Sequence, residues 1–399
     1  MGSVQLTRRH AAGALAASVL AAIACFRAPL RGLDFGEQRD PYRSEGHIDA
    51  AELADEPVYR LILIGDGGTP GAEDPTLALL HEWGDAHPER TAALFLGDNV
   101  YPAGVAAAGP ARARGEAILL QQMNATHARK LFIPGNHDWG YSQFRQGRPS
   151  ILKNEQLYIE SHDASFAPRD GCPGPVPVQL LRPSRRFAGG LTILAIDLYW
   201  WYLPEAERPV CDGIKSTDDF IARLRAELKA RTGQNVIVAA HHPIRSGGPH
   251  GGYTRGFWAD LGVWMFYRFY TVQDLIEPTY NGVVRVIGEV LAEDPPLAMV
   301  GGHDHSLQIL EGGDQTRLIV VSGASSGVTG VTAIKGTLFA HAHRGFIVFD
   351  FHRTKKSRFG ALVANVVETG REKPVFSLAL DLSREAHEPK RVPAKTQEP

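Results

Sequence analysis

Five short apolar runs in this chain each end in a cluster of Asp, Asn, Tyr or His, and this recurrence constrains the fold more than any other feature. They are Leu61-Ile-Leu-Ile-Gly-Asp66, Leu94-Phe-Leu-Gly-Asp98-Asn-Val-Tyr101, Leu131-Phe-Ile-Pro-Gly-Asn136-His137-Asp138, Val236-Ile-Val-Ala-Ala-His241-His242 and Leu297-Ala-Met-Val-Gly-Gly-His303-Asp-His305. Apolar runs bounded by Gly and Pro read as buried strands, and residues at strand carboxyl ends collect in the crevice where open α/β sheets bind ligands. The pattern predicts one site assembled from five strand ends.

The intervening sequence supports that reading. Leu77, Leu79, Leu80 and Trp83 fall at near-helical spacing within residues 74–87, and residues 116–129 repeat the pattern between the second and third clusters. Strand, helix, strand, helix implies a parallel sheet with crossover helices. Residues 191–198 form another apolar run, and 218–230 read as an amphipathic helix leading into the fourth cluster. After the fifth, the runs 318–321, 346–349 and 361–367 follow with little helix between them, which suggests a second sheet packed on the first. The domain is expected to span 58–370, interrupted by an insertion at 253–294. That insertion holds Phe257-Trp258, Trp264-Met-Phe-Tyr267 and Phe269-Tyr270. The plainest reading is a helix over the core; a lid over the site and a membrane-touching surface are the sharper ones. Residues 384–399 read as a flexible polar tail.

With 44% hydrophobic and 22% charged residues among 399, the chain is ordinary globular material. A formal charge of −2 gives no overall attraction to nucleic acid, and no run of Lys and Arg interleaved with aromatics is visible, so no nucleic-acid partner is expected. Arg8-Arg9 precede an Ala- and Leu-rich run over 11–26, shorter than the about 20 residues that span a bilayer. Residues 1–26 read as an export signal, with Ala22-Ile23-Ala24 fitting a cleavage site before Cys25. Thr7-Arg8-Arg9-His10 resembles a twin-arginine signal, and Cys25 is where a lipoprotein would be acylated, although Ala22 stands where Leu is preferred. Residues 27–57 read as a linker. The expectation is an exported protein, periplasmic or extracellular, with membrane anchoring through Cys25 or the 257–270 aromatic stretch left open. Cys172 and Cys211 either pair or remain thiols, since sequence separation does not fix a Cα distance.

Separated Asp, Asn and His residues suit hard and borderline cations, and alternation along Gly302-His303-Asp304-His305 sets both imidazoles on one side. Here the motifs carry a resemblance. The five blocks are similar to those of the calcineurin-like metallophosphoesterases, and within them to the purple acid phosphatases. The general superfamily opens with Asp-x-His and continues with Gly-Asp-x-x-Asp; this chain has Gly65-Asp66-Gly67-Gly68 and Gly97-Asp98-Asn99-Val100-Tyr101, the purple acid phosphatase forms. The resemblance spans about residues 58 to 325 and implies an α/β, four-layer fold of two packed mixed β-sheets flanked by helices. It makes Asp66, Tyr101 and His305 ligands of a ferric ion, and Asn136, His241 and His303 ligands of a divalent iron, zinc or manganese ion, with Asp98 bridging.

The implied activity is hydrolysis of phosphate monoesters of a small phosphorylated substrate, with metal-bound hydroxide attacking phosphorus in line and His137 and His250 binding phosphate and protonating the leaving group. Alternatives are a phosphodiesterase or nucleotide hydrolase with the same metals, or a non-catalytic phosphate- or lipid-binding surface protein. His242 is read as packing on or orienting His241, Asp138 as orienting its loop, and Asp197 as structural. His341 and His343 mimic a metal pair by spacing but stand outside the five-block series.

Overall fold

The computed structural model describes residues 42–45, 48–141, 147–251, 275 and 278–383. Its strands form two mixed sheets flanked by helices, the α/β architecture expected. The first sheet runs, edge to edge, β1 (Tyr42–Ser44), β15 (Phe376–Asp381), β14 (Ala361–Glu368), β13 (Gly345–His352), β2 (Tyr59–Ile64), β3 (Thr91–Phe95), β4 (Arg129–Phe132) and β5 (Ser165–Phe166). The second runs β12 (Thr337–His341), β10 (Leu307–Glu311), β11 (Leu318–Ser322), β9 (Ala298–Gly301), β8 (Val236–Ala239), β7 (Leu191–Ala195) and β6 (Val176–Leu181). β2 to β5 are mutually parallel, as are β7, β8, β9 and β11, while β13 and β14 close the first sheet antiparallel.

Each central strand is apolar on both faces, because each face meets a different layer. Leu61 and Leu63 of β2, Leu94 of β3, Ile237 of β8 and Val300 of β9 point between the sheets into one core. Ile62, Ile64 and Phe95 point outward and are covered by α1 (Pro75–Asp85), α2 (Gly109–Asn124) and α3 (Pro149–Glu160) through Leu80, Leu119 and Leu152. Val236, Val238 and Met299 point outward from the second sheet toward α4 (Thr217–Lys229) and α5 (Pro278–Glu293), through Phe220, Leu224, Ile287 and Leu291. The result is four layers. Helix starts are fixed locally: Asp74 Oδ1 accepts the Thr76 and Leu77 amides before α1, and Ser216 with Asp219 forms a capping box before α4.

The domain extends past the expected 58–370 at both ends. Within the region read as a linker, Tyr42–Ser44 pairs in parallel with β15, and Ile48 packs on Ala361, Val363 and Ala379. A three-residue strand is too short to leave a periodic signal, which is why the sequence reads as linker there. At the other end β15 lies beyond residue 370 and completes the sheet. Of the insertion, residues 278–293 form α5, which packs against α4; the aromatic stretch 257–270 lies outside the described residues. So do the export signal over 1–26 and the tail 384–399.

Cys172 and Cys211 are disulfide-bonded, with Cα atoms 5.7 Å apart and a sequence separation of 39. Closing a loop of that length removes denatured-chain entropy worth on the order of 4 kcal/mol. Replacing both cysteines by Ser should therefore cost about 2–4 kcal/mol in urea unfolding, and reductant should destabilise the parent chain but not the double variant.

Candidate metal centre

The parallel strands of both sheets end at one pole, and the loops that follow them meet there. Asp66, Asp98 and His303 all adopt left-handed backbone, with φ of 59°, 54° and 69°. Such conformations cost non-glycine residues roughly 1–3 kcal/mol each and concentrate at functional sites. The sharp turn directly after a strand directs each side chain into the crevice. Small residues permit the close approach: a Cβ on Gly302 would sit 2.4 Å from Asp66 Oδ2, and one on Gly135 would sit 2.3 Å from the Asp98 amide. Two bonds lock one sheet's loops to the other's. The His303 N–H donates to Asp66 Oδ2 at 2.9 Å, and His241 Nδ1 lies 2.8 Å from the Leu96 carbonyl.

All seven residues expected as ligands are brought together, in two groups. Tyr101 Oη lies 3.0 Å from Asp66 Oδ1, 3.0 Å from Asp98 Oδ2 and 3.1 Å from His305 Nε2. Across the crevice, His241 Nε2 lies 3.1 Å from Asn136 Oδ1, 3.2 Å from His303 Nδ1 and 3.4 Å from Asp98 Oδ1. Asp98 thus presents one carboxylate oxygen to each group. The Leu96 carbonyl takes the Nδ1 proton of His241, which leaves Nε2 facing the cluster, as a ligating imidazole requires. Ligand atoms of Asp66, Asp98 and His241, all buried, lie within 4.8 Å of one another and could hold a metal ion.

The electrostatics favour a bound cation. Burial opposes charge on Asp98, but the imidazoles of His241 and His137 and their hydrogen bonds hold its pKa well below the usual carboxylate range. Burial likewise opposes charge on His241, yet Asp98 and Asp66 push its pKa up to about 10. His305 is raised too, against burial, chiefly by Asp66. The cluster therefore draws in positive charge. Tyr101 bears on which cation: burial first, then Asp66 and Asp98, push its phenol well above 10. A bound cation would have to outweigh those two carboxylates before the phenolate could form. The donors lie on both sides of the Asp98 carboxylate, and the Asp66, Asp98 and His241 group among them could hold a metal ion.

The two expected catalytic histidines flank the cluster. His137 Nδ1 lies 2.6 Å from the Pro102 carbonyl, its ring stands edge-on to Tyr101, and its Nε2 is 3.9 Å from Asp98 Oδ2. The His250 ring lies 3.9 Å, centroid to centroid, from that of His303, and the His250 N–H donates to Asp304 Oδ1 at 3.0 Å. His242 is buried behind the ligands, its ring 4.5 Å from His303 and 5.5 Å from Tyr280. His341 and His343 face Glu368 instead, with His341 Nδ1 2.6 Å and His343 Nδ1 3.7 Å from its carboxylate.

Supporting residues brace the cluster, and not all of them were legible in the sequence. Asp138 staples two ligand loops: Oδ1 accepts the Asn99 and Val100 amides at 2.8 and 3.1 Å, and Oδ2 accepts the Gly135 amide at 2.7 Å. Burial, then the charge on Asp98, pushes Asp138 up to about 8. Asn99 reaches through to the fully buried Glu155 at 3.1 Å, and burial raises the pKa of that carboxyl well above the usual range. Asp304 accepts the Ser246 hydroxyl and so ties the 246–250 loop to the ligand pair. Position between His303 and His305 was the one signal for Asp304; nothing in the sequence pointed to Glu155.

No protein-family profile matches this chain, and no curated protein does. Among solved structures, GAP50, the anchor in the inner membrane complex of Plasmodium, is similar with a TM-score of 0.54 and 15% identity, over 82% of this chain and 89% of that one. Purple acid phosphatase PPD1 from yellow lupin seeds gives 0.49 and 12%, over 84% and 56%, and PhoD gives 0.44 and 11%, over 80% and 68%. At such identity the likeness to GAP50 concerns the fold alone.

Asp197 is structural, as expected: it accepts Trp139 Nε1 at 2.8 Å and the Tyr199 amide at 2.9 Å, so it braces the loop that carries Asn136 and His137. Burial pushes it up to about 7. A carboxyl that ionises near 3.9 in the unfolded chain and near 7 in the fold contributes stability that is complete below about pH 4 and fades as pH rises to about 7. Asp197→Asn removes this dependence, so the stability advantage of the parent over the variant should shrink across that window in urea titrations. A pH-independent difference would show that Asp197 ionises normally.

Proposed function

We infer that the chain is a metal-dependent phosphoester hydrolase acting on phosphate monoesters. Asp66, Tyr101 and His305 would hold a ferric ion, Asn136, His241 and His303 a divalent iron, zinc or manganese ion, and Asp98 would serve both. The observation that carries this reading is the division of the donors into two groups on either side of the Asp98 carboxylate. When bound, two cations supply charge neutralisation on a phosphoryl group and acidify a coordinated water.

The chain's own residues do the rest. Asp138 and Asp197 keep the ligand loops in place, and buried Leu96, Ile133 and Ala240 exclude water from behind them. His137 places its Nδ1–H on the Pro102 carbonyl, so Nε2 is the atom left to face substrate. When it carries a proton, that nitrogen would donate to a phosphoryl oxygen or to the departing alkoxide. His250, lying over His303, approaches from the other group and can do the same. Export is supported by the Cys172–Cys211 disulfide, since such bonds persist in oxidising compartments.

A second reading, a binding protein without turnover, is kept open by the likeness of this fold to a protein described as an anchor. Metal analysis with a visible spectrum, and assays on an aryl phosphate and a bis-aryl phosphodiester, separate the possibilities. We expect iron plus one divalent metal, a coloured protein and faster turnover of the monoester. Two zinc ions in a colourless protein would defeat the ferric assignment; no turnover of either ester would favour the binding protein. Tyr101→Phe should abolish the visible band, and His137→Ala should lower kcat on an alkyl phosphate by about 100-fold at acidic pH.

A further inference from the structure

The pole opposite the metal centre carries a concentration of positive charge that is divided in the sequence. The 182–190 turn between β6 and β7 holds Arg182, Arg185 and Arg186, and the 353–360 turn between β13 and β14 holds Arg353, Lys355, Lys356 and Arg358. All seven are exposed. No acidic residue occurs from 171 to 196 or from 351 to 367. β7 runs parallel to β8, which ends just before His241, and β13 runs antiparallel to β2, which ends near Asp66, so both turns lie far from the site. They also touch. The Ala188 N–H donates to the Arg358 carbonyl at 2.9 Å, and Phe187 packs edge-on against Phe351.

The charge is largely uncompensated. Among the described residues, Lys356 is the one cation of the seven within ion-pair distance of a carboxylate, that of Glu52. The acidic residues Asp49, Glu52, Asp55 and Glu56 border the patch on one side, where Leu53 bridges to Thr354, and Glu56 is engaged by Arg90. With these seven cations set aside, the remainder of a chain whose net charge is −2 carries a formal charge of −9.

We propose that this pole docks on an anionic phospholipid surface, with the metal centre facing away into solvent. A cluster of four to eight Lys and Arg suffices for attraction to acidic headgroups. Nucleic acid fits less well. Phe187 is buried and Phe359 half-buried beneath the Arg358 guanidinium, so the turns offer no exposed aromatic platform for bases. The disulfide also suits an exported protein, which meets lipid headgroups more than nucleic acid.

The test is co-sedimentation of the full chain with phosphatidylcholine vesicles, with and without about 30 mol% phosphatidylglycerol, at low and high salt. Apolar attachment elsewhere would contribute to both vesicle types, so the difference between them isolates the charge. We expect tighter binding to the acidic vesicles, lost near 1 M salt where screening extends only about 3 Å. Neutralising either turn, by Arg182→Gln/Arg185→Gln/Arg186→Gln or by Arg353→Gln/Lys355→Gln/Arg358→Gln, removes three cations at roughly fivefold each and should weaken binding about 100-fold. Arg→Lys replacements at the same positions keep the charge and should keep the binding, which guards against a folding defect. Equal binding to both vesicle types, or neutralised variants that bind as the parent does, would overturn the proposal. So would tighter capture by a DNA duplex than by acidic vesicles at the same salt, which would assign the patch to nucleic acid.

Discussion

Packing between the two sheets is the constraint on which everything at the pole of the candidate metal centre depends. Asp66, Asp98, Tyr101 and Asn136 come from loops of the first sheet; His241, His303 and His305 come from the second. Neither sheet alone holds either donor group complete. The shared core, through residues such as Leu63, Leu94, Ile237 and Val300, sets the offset of the sheets, and the His303–Asp66 and His241–Leu96 bonds register their loops to it. The geometry at the cluster is thus inherited from an apolar interface several residues below it.

That dependence explains what could be read in advance. The five strand ends were legible because strand burial leaves apolar runs and ligands are few in type. The faces of those strands were not: Leu61 and Ile62 look alike in sequence, yet one enters the inter-sheet core and the other supports a helix. Tyr42–Ser44 and the two-residue β5 escaped because a strand that short has no period. Asp138 was expected to orient its loop, and does so by accepting backbone amides from the neighbouring loop. Glu155 was invisible, since a Glu on a helix is ordinarily a surface residue and only the fold reveals it buried beside Asn99. The basic pole was missed for the opposite reason. Its two halves are unremarkable turns, more than 160 positions apart, and tertiary contact alone makes them one surface.

The pole of the candidate metal centre carries strain and buried charge together. Three of the residues proposed as ligands occupy left-handed backbone, and several carboxyl groups lie in or behind the cluster with little access to solvent. Each arrangement is unfavourable in isolation, and each is held by the surrounding packing and hydrogen bonds. Protons on Asp138, Glu155 and the imidazoles moderate the repulsion, and cations would do so more effectively.

β1 also bears on how the protein behaves among copies of itself. A sheet edge exposes a row of amides and carbonyls that can recruit another chain, and natural proteins blunt such edges with short strands, proline and bulges. Here β1 shields β15 with three residues, and β5 ends the other side of the same sheet with two. In the second sheet β6 contains Pro177 and an irregularity near Gln179, and the pairing of β12 is broken between Ile309 and Leu310. Among the described residues, all four edges are therefore poor templates for edge-to-edge pairing. Losing Tyr42–Ser44 would bare the six-residue edge of β15 and turn a protected margin into a site for aggregation.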